Sequence, residues 1–174
     1  MKLKLLIATF FVSAFSFAQS TNLDTIESQM RYAAKQGLLD EYYPRNIDTL
    51  YGGYLSTFSY DFKPVGEQDK MIVTQARHTW STAKAAMFYH DTSYIPMSRH
   101  GFYFLRDKMW DKEYGGFYNL VSRDGTPKSI IKEAYGNAFA IYGLFAYYEC
   151  SGDTGALNIA KKTFMWLEKY NHDP

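Results

Sequence analysis

Tyr51-Gly-Gly-Tyr-Leu-Ser-Thr-Phe-Ser-Tyr-Asp-Phe-Lys-Pro64 and Tyr114-Gly-Gly-Phe-Tyr-Asn-Leu-Val-Ser-Arg-Asp-Gly-Thr-Pro127 are two copies of one pattern. Tyr51, Gly52, Gly53, Ser59, Asp61 and Pro64 recur as Tyr114, Gly115, Gly116, Ser122, Asp124 and Pro127 at a constant offset of 63 (114 − 51). Each copy is followed by a long helical pattern that opens near a lysine, Lys70 or Lys132. A period near sixty residues carrying a hairpin and then helices is the signature of a repeat array, not of a single compact bundle. The unit reads as outer helix, short Gly-Gly β-hairpin, inner helix. Two units are too few to close a ring, so the chain is expected to be the N-terminal part of something larger.

Outward from the hairpins, residues 21–39 read as a helix, with Asn22 or Thr25 as cap and Leu23, Ile26, Met30, Ala33 and Ala34 at helical spacing. Residues 42–49, with Pro44 and Asn46, are expected to break it, and residues 51–60 to form a short strand or hairpin. A second helix is expected over 69–89 and a third over 94–109, Pro96 being tolerated in its first turn. A fourth, apolar nearly all round, is expected over 129–150 and a fifth over 154–170 behind the Ser151-Gly152-Asp153 cap. The second and fourth helices are the more apolar, the others amphipathic. That alternation suits an inner and an outer ring, and the fold class expected is all-α.

Residues 1–18 are expected to be a cleaved export signal: Lys2 and Lys4 precede an apolar run over 5–17, with Ser16 and Ala18 at the −3 and −1 positions before Gln19. The run is shorter than the roughly 20 residues of a spanning helix. The product is therefore expected outside the cytoplasm, periplasmic or extracellular, and residues 19–174 as its one folded domain. Hydrophobic residues make up 47% and charged residues 21%, ordinary for a soluble domain. A net charge of +1 gives no reason to expect nucleic acid or a membrane as partner. Cys150 is the single cysteine, so no internal disulfide exists, and it is expected to be a packing residue.

Aromatic residues reach 18%, including 16 tyrosines and 13 phenylalanines. Such rings either fill gaps between helices or cover the C–H faces of sugars. Arg77 sits in a mostly apolar helix among Ile72, Val73, Ala76 and Trp80, where a guanidinium is costly unless it is paired or faces a ligand. A salt bridge to Glu133 and a ligand contact are the two readings. The acids Asp61, Glu67, Asp69, Asp111, Asp124 and Glu133 are scattered, and turn or cap roles account for most of them.

Gly115-Gly-Phe-Tyr, Asp124-Gly, Lys132-Glu-Ala-Tyr135-Gly-Asn-Ala-Phe139 and Tyr147-Tyr-Glu-Cys-Ser-Gly-Asp153, with Gln75-Ala-Arg77-His-Thr-Trp80 upstream, resemble the N-acylglucosamine 2-epimerase family, its cellobiose and mannobiose epimerase branch above all. The likeness runs from about Tyr51 to the C-terminus. It implies a partial (α/α)6 toroid, about five helices of twelve, and cofactor-free inversion at C2 of a reducing sugar by two histidines. It places those histidines in the later half of the toroid, so no catalytic residue is expected here; His78, His90, His100 and His172 are not assigned that role. The resemblance also implies a saccharide-binding set of Arg77, Tyr135, Trp80 and Asn137, no cofactor and no metal. Trp80 stays open between stacking and packing. Another (α/α)6 glycan enzyme (hydrolase or lyase) and a non-catalytic, carbohydrate-binding relative are the alternatives. Self-association through uncovered inner-helix faces is expected.

Overall fold

Residues 23–171 are described in this computed structural model; the expected export signal at residues 1–18, Asn22 and His172 lie outside them. Helix α1 (Leu23–Ala34) passes through a wide π turn (Lys35–Leu39) into α2 (Asp40–Asn46). Strand β1 (Lys70–Met71) leads into α3 (Ile72–Tyr89), and α4 (Tyr94–Phe104) ends in a second π turn (Leu105–Met109). Strand β2 (Leu120–Val121), α5 (Ala134–Ser151) and α6 (Thr154–Tyr170) follow.

The alternation read from the sequence is the architecture: α3 and α5 pack side by side as inner helices, with α4 outside α3 and α6 outside α5. Ile72, Phe102, Leu105, Phe117, Leu144 and Tyr147 fill the core between the layers. The inner helices meet closely because α5 presents glycines: a Cβ on Gly143 would stand 2.5 Å from the carbonyl oxygen of Ala76. α3 ends on a left-handed His90 (φ 52°) and α5 on a left-handed Gly152 (φ 73°), the ordinary helix stop. Asp153 then caps α6, its Oδ1 accepting from the Gly155 amide at 2.8 Å.

Three expectations change. The first outer helix does not end at Leu39; it runs through Pro44 to Asn46, because Tyr43 buries its ring there and outweighs the one hydrogen bond that proline withholds. The inner helices start later, at Ile72 and Ala134 instead of 69 and 129, because Lys70 and residues 129–133 are held extended by tertiary hydrogen bonds. The hairpins are centred on their glycines. Gly52 and Gly53 (φ 84° and 68°) form a turn between bridged Ile47 and Tyr54, and Gly115 and Gly116 (φ 71° and 75°) form one between Trp110 and Phe117.

The lysines that open each inner helix lock these turns in place. Lys70, fully buried, donates from Nζ to Asp48 Oδ2 at 2.9 Å, the Gly52 carbonyl at 2.6 Å and the Arg123 carbonyl at 2.8 Å. Lys132 repeats this with Asp111 Oδ2 at 2.5 Å and the Gly115 carbonyl at 2.7 Å. Burial alone would raise the Asp48 pKa, but hydrogen bonds from Arg123 and Lys70 hold it well below the usual range. Burial pulls the Lys70 amine down, yet three acceptors around Nζ need three donated protons, so the pair is ionised. At Asp111 burial pushes up, and Lys132 with two backbone amides brings the carboxyl down to about 2.

A second clamp joins hairpin to helix. The Tyr54 amide donates to Gln75 Oε1 and Gln75 Nε2 donates to the Tyr54 carbonyl, both at 2.8 Å. Asn137 does the same for Phe117, accepting from its amide at 2.8 Å and donating to its carbonyl at 3.5 Å. Between Pro64 and Lys70 there is one residue more than between Pro127 and Lys132, so the hairpins match at an offset of 63 and the inner helices at 62. A two-residue antiparallel ladder, Lys70 to Val121 and Met71 to Leu120, ties one repeat to the next.

Candidate functional site

The inner face of the layer, where α3 and α5 lie side by side, carries a continuous run of rings. Tyr135 meets Phe139 edge-on at 4.9 Å between centroids, Phe139 meets Tyr142 at 6.1 Å, and Tyr142 stacks on Trp80 at 4.8 Å with planes 16° apart. The spacing of 135, 139 and 142 places those three rings on one side of α5. Tyr135 is 63% exposed and Tyr142 42% exposed, so the wall faces open space.

Arg77 stands over this wall, its guanidinium carbon 5.9 Å from the Phe139 centroid. It is exposed and forms no ion pair with any described carboxylate, Glu133 included. A cation left free on an aromatic surface offers planar donors to hydroxyl or carbonyl oxygens beside faces that suit sugar C–H groups. Below Arg77, a cavity of about 380 Å³ opens among Leu38, Tyr42, Val73, Thr74 and Ser81.

Of the residues expected to touch sugar, Arg77, Tyr135 and Trp80 share this face, Trp80 through its stack on Tyr142. Asn137 does not: it is fully buried and its amide is spent on Phe117 and the Glu133 carbonyl. Its residue type fits a sugar contact equally well, but its spacing from Tyr135 turns it towards the hairpin. Phe139 is half-exposed on the wall. Tyr142 was not anticipated; its signal is its helical spacing from Tyr135. The lysine clamps also went unread, although Asp48 and Asp111 stand at the repeat's own offset.

His78 lies behind the wall, among Tyr42, Tyr43 and Tyr54, with ring centroids at 5.6, 5.8 and 5.0 Å. Tyr43 Oη lies 3.2 Å from its Nδ1. Burial, and secondarily the Arg77 charge, push the imidazole down to about 4. It is neutral at pH 7, and its ring packs against the three tyrosines while also lining the cavity beside Arg77. Because the folded pKa lies below the unfolded value near 6.5, its stabilisation is present above pH 6.5 and is lost as pH falls towards 4. Urea unfolding at pH 7.5 and pH 5 should differ by about 2 kcal/mol, and His78→Phe should flatten most of that slope. An unchanged slope would place the titrating group elsewhere.

Among the described residues no cluster of His, Cys, Asp or Glu is arranged to hold a metal, and no helix is long and apolar enough to cross a membrane. Asp61 and Asp124 each accept from the serine two residues before, Ser59 and Ser122, at 2.6 Å, which makes them turn residues. Cys150 is half-buried, its thiol donating to the Tyr147 carbonyl at 3.3 Å.

Paired layers of inner and outer helices, joined by Gly-Gly hairpins and bearing an aromatic inner wall, define a segment of an (α/α)6 toroid. The chain belongs to the N-acylglucosamine 2-epimerase (GlcNAc 2-epimerase) family, whose sequence model matches residues 52–174. The cellobiose 2-epimerase of Ruminococcus albus is 33% identical over 122 residues, which are 70% of this chain and 31% of that enzyme. The solved cellobiose 2-epimerase of Spirochaeta thermophila superposes with a TM-score of 0.79 at 33% identity, covering 84% of this chain and 36% of that one. A family 76 glycoside hydrolase from a Bacteroides thetaiotaomicron strain shares the fold alone, with a TM-score of 0.69 at 17% identity. The chain thus spans about a third of the length of these relatives.

Proposed function

We propose that this chain supplies the substrate-holding wall of a sugar 2-epimerase acting on a reducing saccharide such as cellobiose. The observation that carries the reading is Arg77, uncommitted to any described carboxylate and set over the Tyr135–Phe139–Tyr142–Trp80 run. In such a reaction the ring opens to the aldehyde and a base removes the C2 proton. A cis-enediolate forms, and an acid returns a proton to the opposite face. Negative charge gathers on the C1 oxygen during this step, and a fixed guanidinium there stabilises it. The rings bind the C–H faces of the sugar and keep bulk water from that oxygen. Proton transfer falls to histidines elsewhere in a complete toroid, as the family likeness implies; His78 lines the cavity beside Arg77 but its Nδ1 is engaged by Tyr43, and His100 sits on outer helix α4. A hydrolase would need two free carboxylates at a set separation, whereas Asp48 and Asp111 are locked to lysines. Export through residues 1–18 belongs to the same reading, and a secreted product beginning at Gln19 on N-terminal sequencing would bear it out.

The test is a chimera in which residues 23–171 replace the matching third of the Ruminococcus albus enzyme. A cooperatively folded chimera should epimerise cellobiose at its reducing end, and Arg77→Ala should lower kcat/KM by about tenfold or more, at least about 1.4 kcal/mol of transition-state stabilisation. A folded chimera that is inactive, or one indifferent to Arg77→Ala, overturns the proposal.

A further inference from the structure

The two lysine clamps are the same device, but only one of them is complete. At the first, Arg123 reaches across from the following repeat. Its Nε donates to Asp48 Oδ2 at 2.9 Å and its Nη2 to Asp48 Oδ1 at 3.1 Å. Its guanidinium carbon lies 5.4 Å over the Tyr51 ring, and its main-chain carbonyl accepts a hydrogen bond from Lys70 Nζ at 2.8 Å. One residue thus completes the carboxylate, the ammonium and the ring together.

Every receiving part recurs one repeat later. Asp111 stands for Asp48, Lys132 for Lys70 and Tyr114 for Tyr51, at offsets of 63, 62 and 63. Asp111 Oδ1 accepts the Glu113 and Tyr114 amides at 2.9 and 3.1 Å, as Asp48 Oδ1 accepts those of Leu50 and Tyr51 at 3.2 and 3.3 Å. Among the described residues no arginine reaches Asp111, and Lys132 has two acceptors where Lys70 has three. Tyr114 is 68% exposed, against 43% for Tyr51 beneath its arginine. Tyr118 and Trp166 add ring walls 5.4 and 5.9 Å from Lys132 Nζ.

We propose that Asp111, Lys132 and Tyr114 form a docking socket for an arginine carried, with its own backbone carbonyl, on a turn like residues 122–126 of a further repeat unit. The carboxylate selects a cation, its two oxygens and the adjoining ring select the planar fork of arginine over an ammonium, and Lys132 selects a neighbouring carbonyl. A free anion is repelled by Asp111. The socket lies at the hairpin, so this inference stands whether or not the saccharide reading holds.

The probe is a capped peptide of sequence 119–127, titrated into the ¹⁵N-labelled 174-residue chain. Saturable shifts are expected at the Glu113 and Tyr114 amides and the Trp166 indole, with a Kd of roughly millimolar. Replacing the peptide's arginine by lysine should weaken binding about tenfold, and Tyr114→Ala in the chain about threefold with its melting unchanged. Equal binding of the two peptides, shifts mapping elsewhere, no shift at about ten times the expected Kd, or stronger shifts of these resonances by cellobiose would each overturn it.

Discussion

Asp48→Ala is expected to cost about 3–5 kcal/mol, a large share of the roughly 5–15 kcal/mol that keeps a domain folded, and to move the urea transition far towards lower concentration. The reason is what it leaves behind. Lys70 Nζ is fully buried, and losing the carboxylate strands a charge that water cannot reach. Arg123 suffers less, because its side chain is 39% exposed and can turn to solvent. The pair as a whole is not expected to be strongly stabilising, since removing two ions from water offsets their attraction. Asp48→Leu combined with Lys70→Met should therefore recover most of the loss, to within about 2 kcal/mol of the parent. Trp fluorescence across a urea series measures both variants. A single substitution costing under about 1 kcal/mol, the range of an exposed pair, would show that the clamp is not buried in solution.

Gly143→Val should be nearly as damaging for a different reason. The atom that a new Cβ meets is the Ala76 carbonyl oxygen at 2.5 Å, with the carbonyl carbon at 3.1 Å, and backbone cannot swing aside as a side chain can. Relief requires α3 and α5 to separate, at a cost of about 3 kcal/mol or more. The same shift would pull Trp80 from Tyr142, whose rings lie 4.8 Å apart across that helix pair. Loss of stability and loss of the Trp80–Tyr142 stack should therefore arrive together, and a crystal structure of the variant would show the wider separation. A fully stable variant with the stack intact would refute the account.

The repeat made the layer order legible before any coordinates, because periodicity in apolar residues and paired glycines are local signals. What stayed hidden was anything decided by a partner far along the chain. Lys70 marks the start of α3, but its meaning comes from Asp48, Gly52 and Arg123, up to 53 residues away in sequence. Pro44 reads as a helix breaker until the burial of Tyr43 is known. At the site, Arg77 stood out because a lone guanidinium in an apolar stretch demands an explanation. Asn137 misled because an amide near a pocket tyrosine and an amide clamping a hairpin look alike in one dimension.

The wall residues Arg77, Trp80, Tyr135, Phe139 and Tyr142 are exposed or half-exposed, whereas Lys70, Gln75 and Asn137, which hold the hairpins to the inner helices, are fully buried and point elsewhere. The exposed wall and the buried ties of the frame are thus written in separate sets of side chains on neighbouring stretches of the chain. Changes to the exposed rings therefore leave the buried ties intact, and a designer can randomise those five positions as a library without first reinforcing the frame.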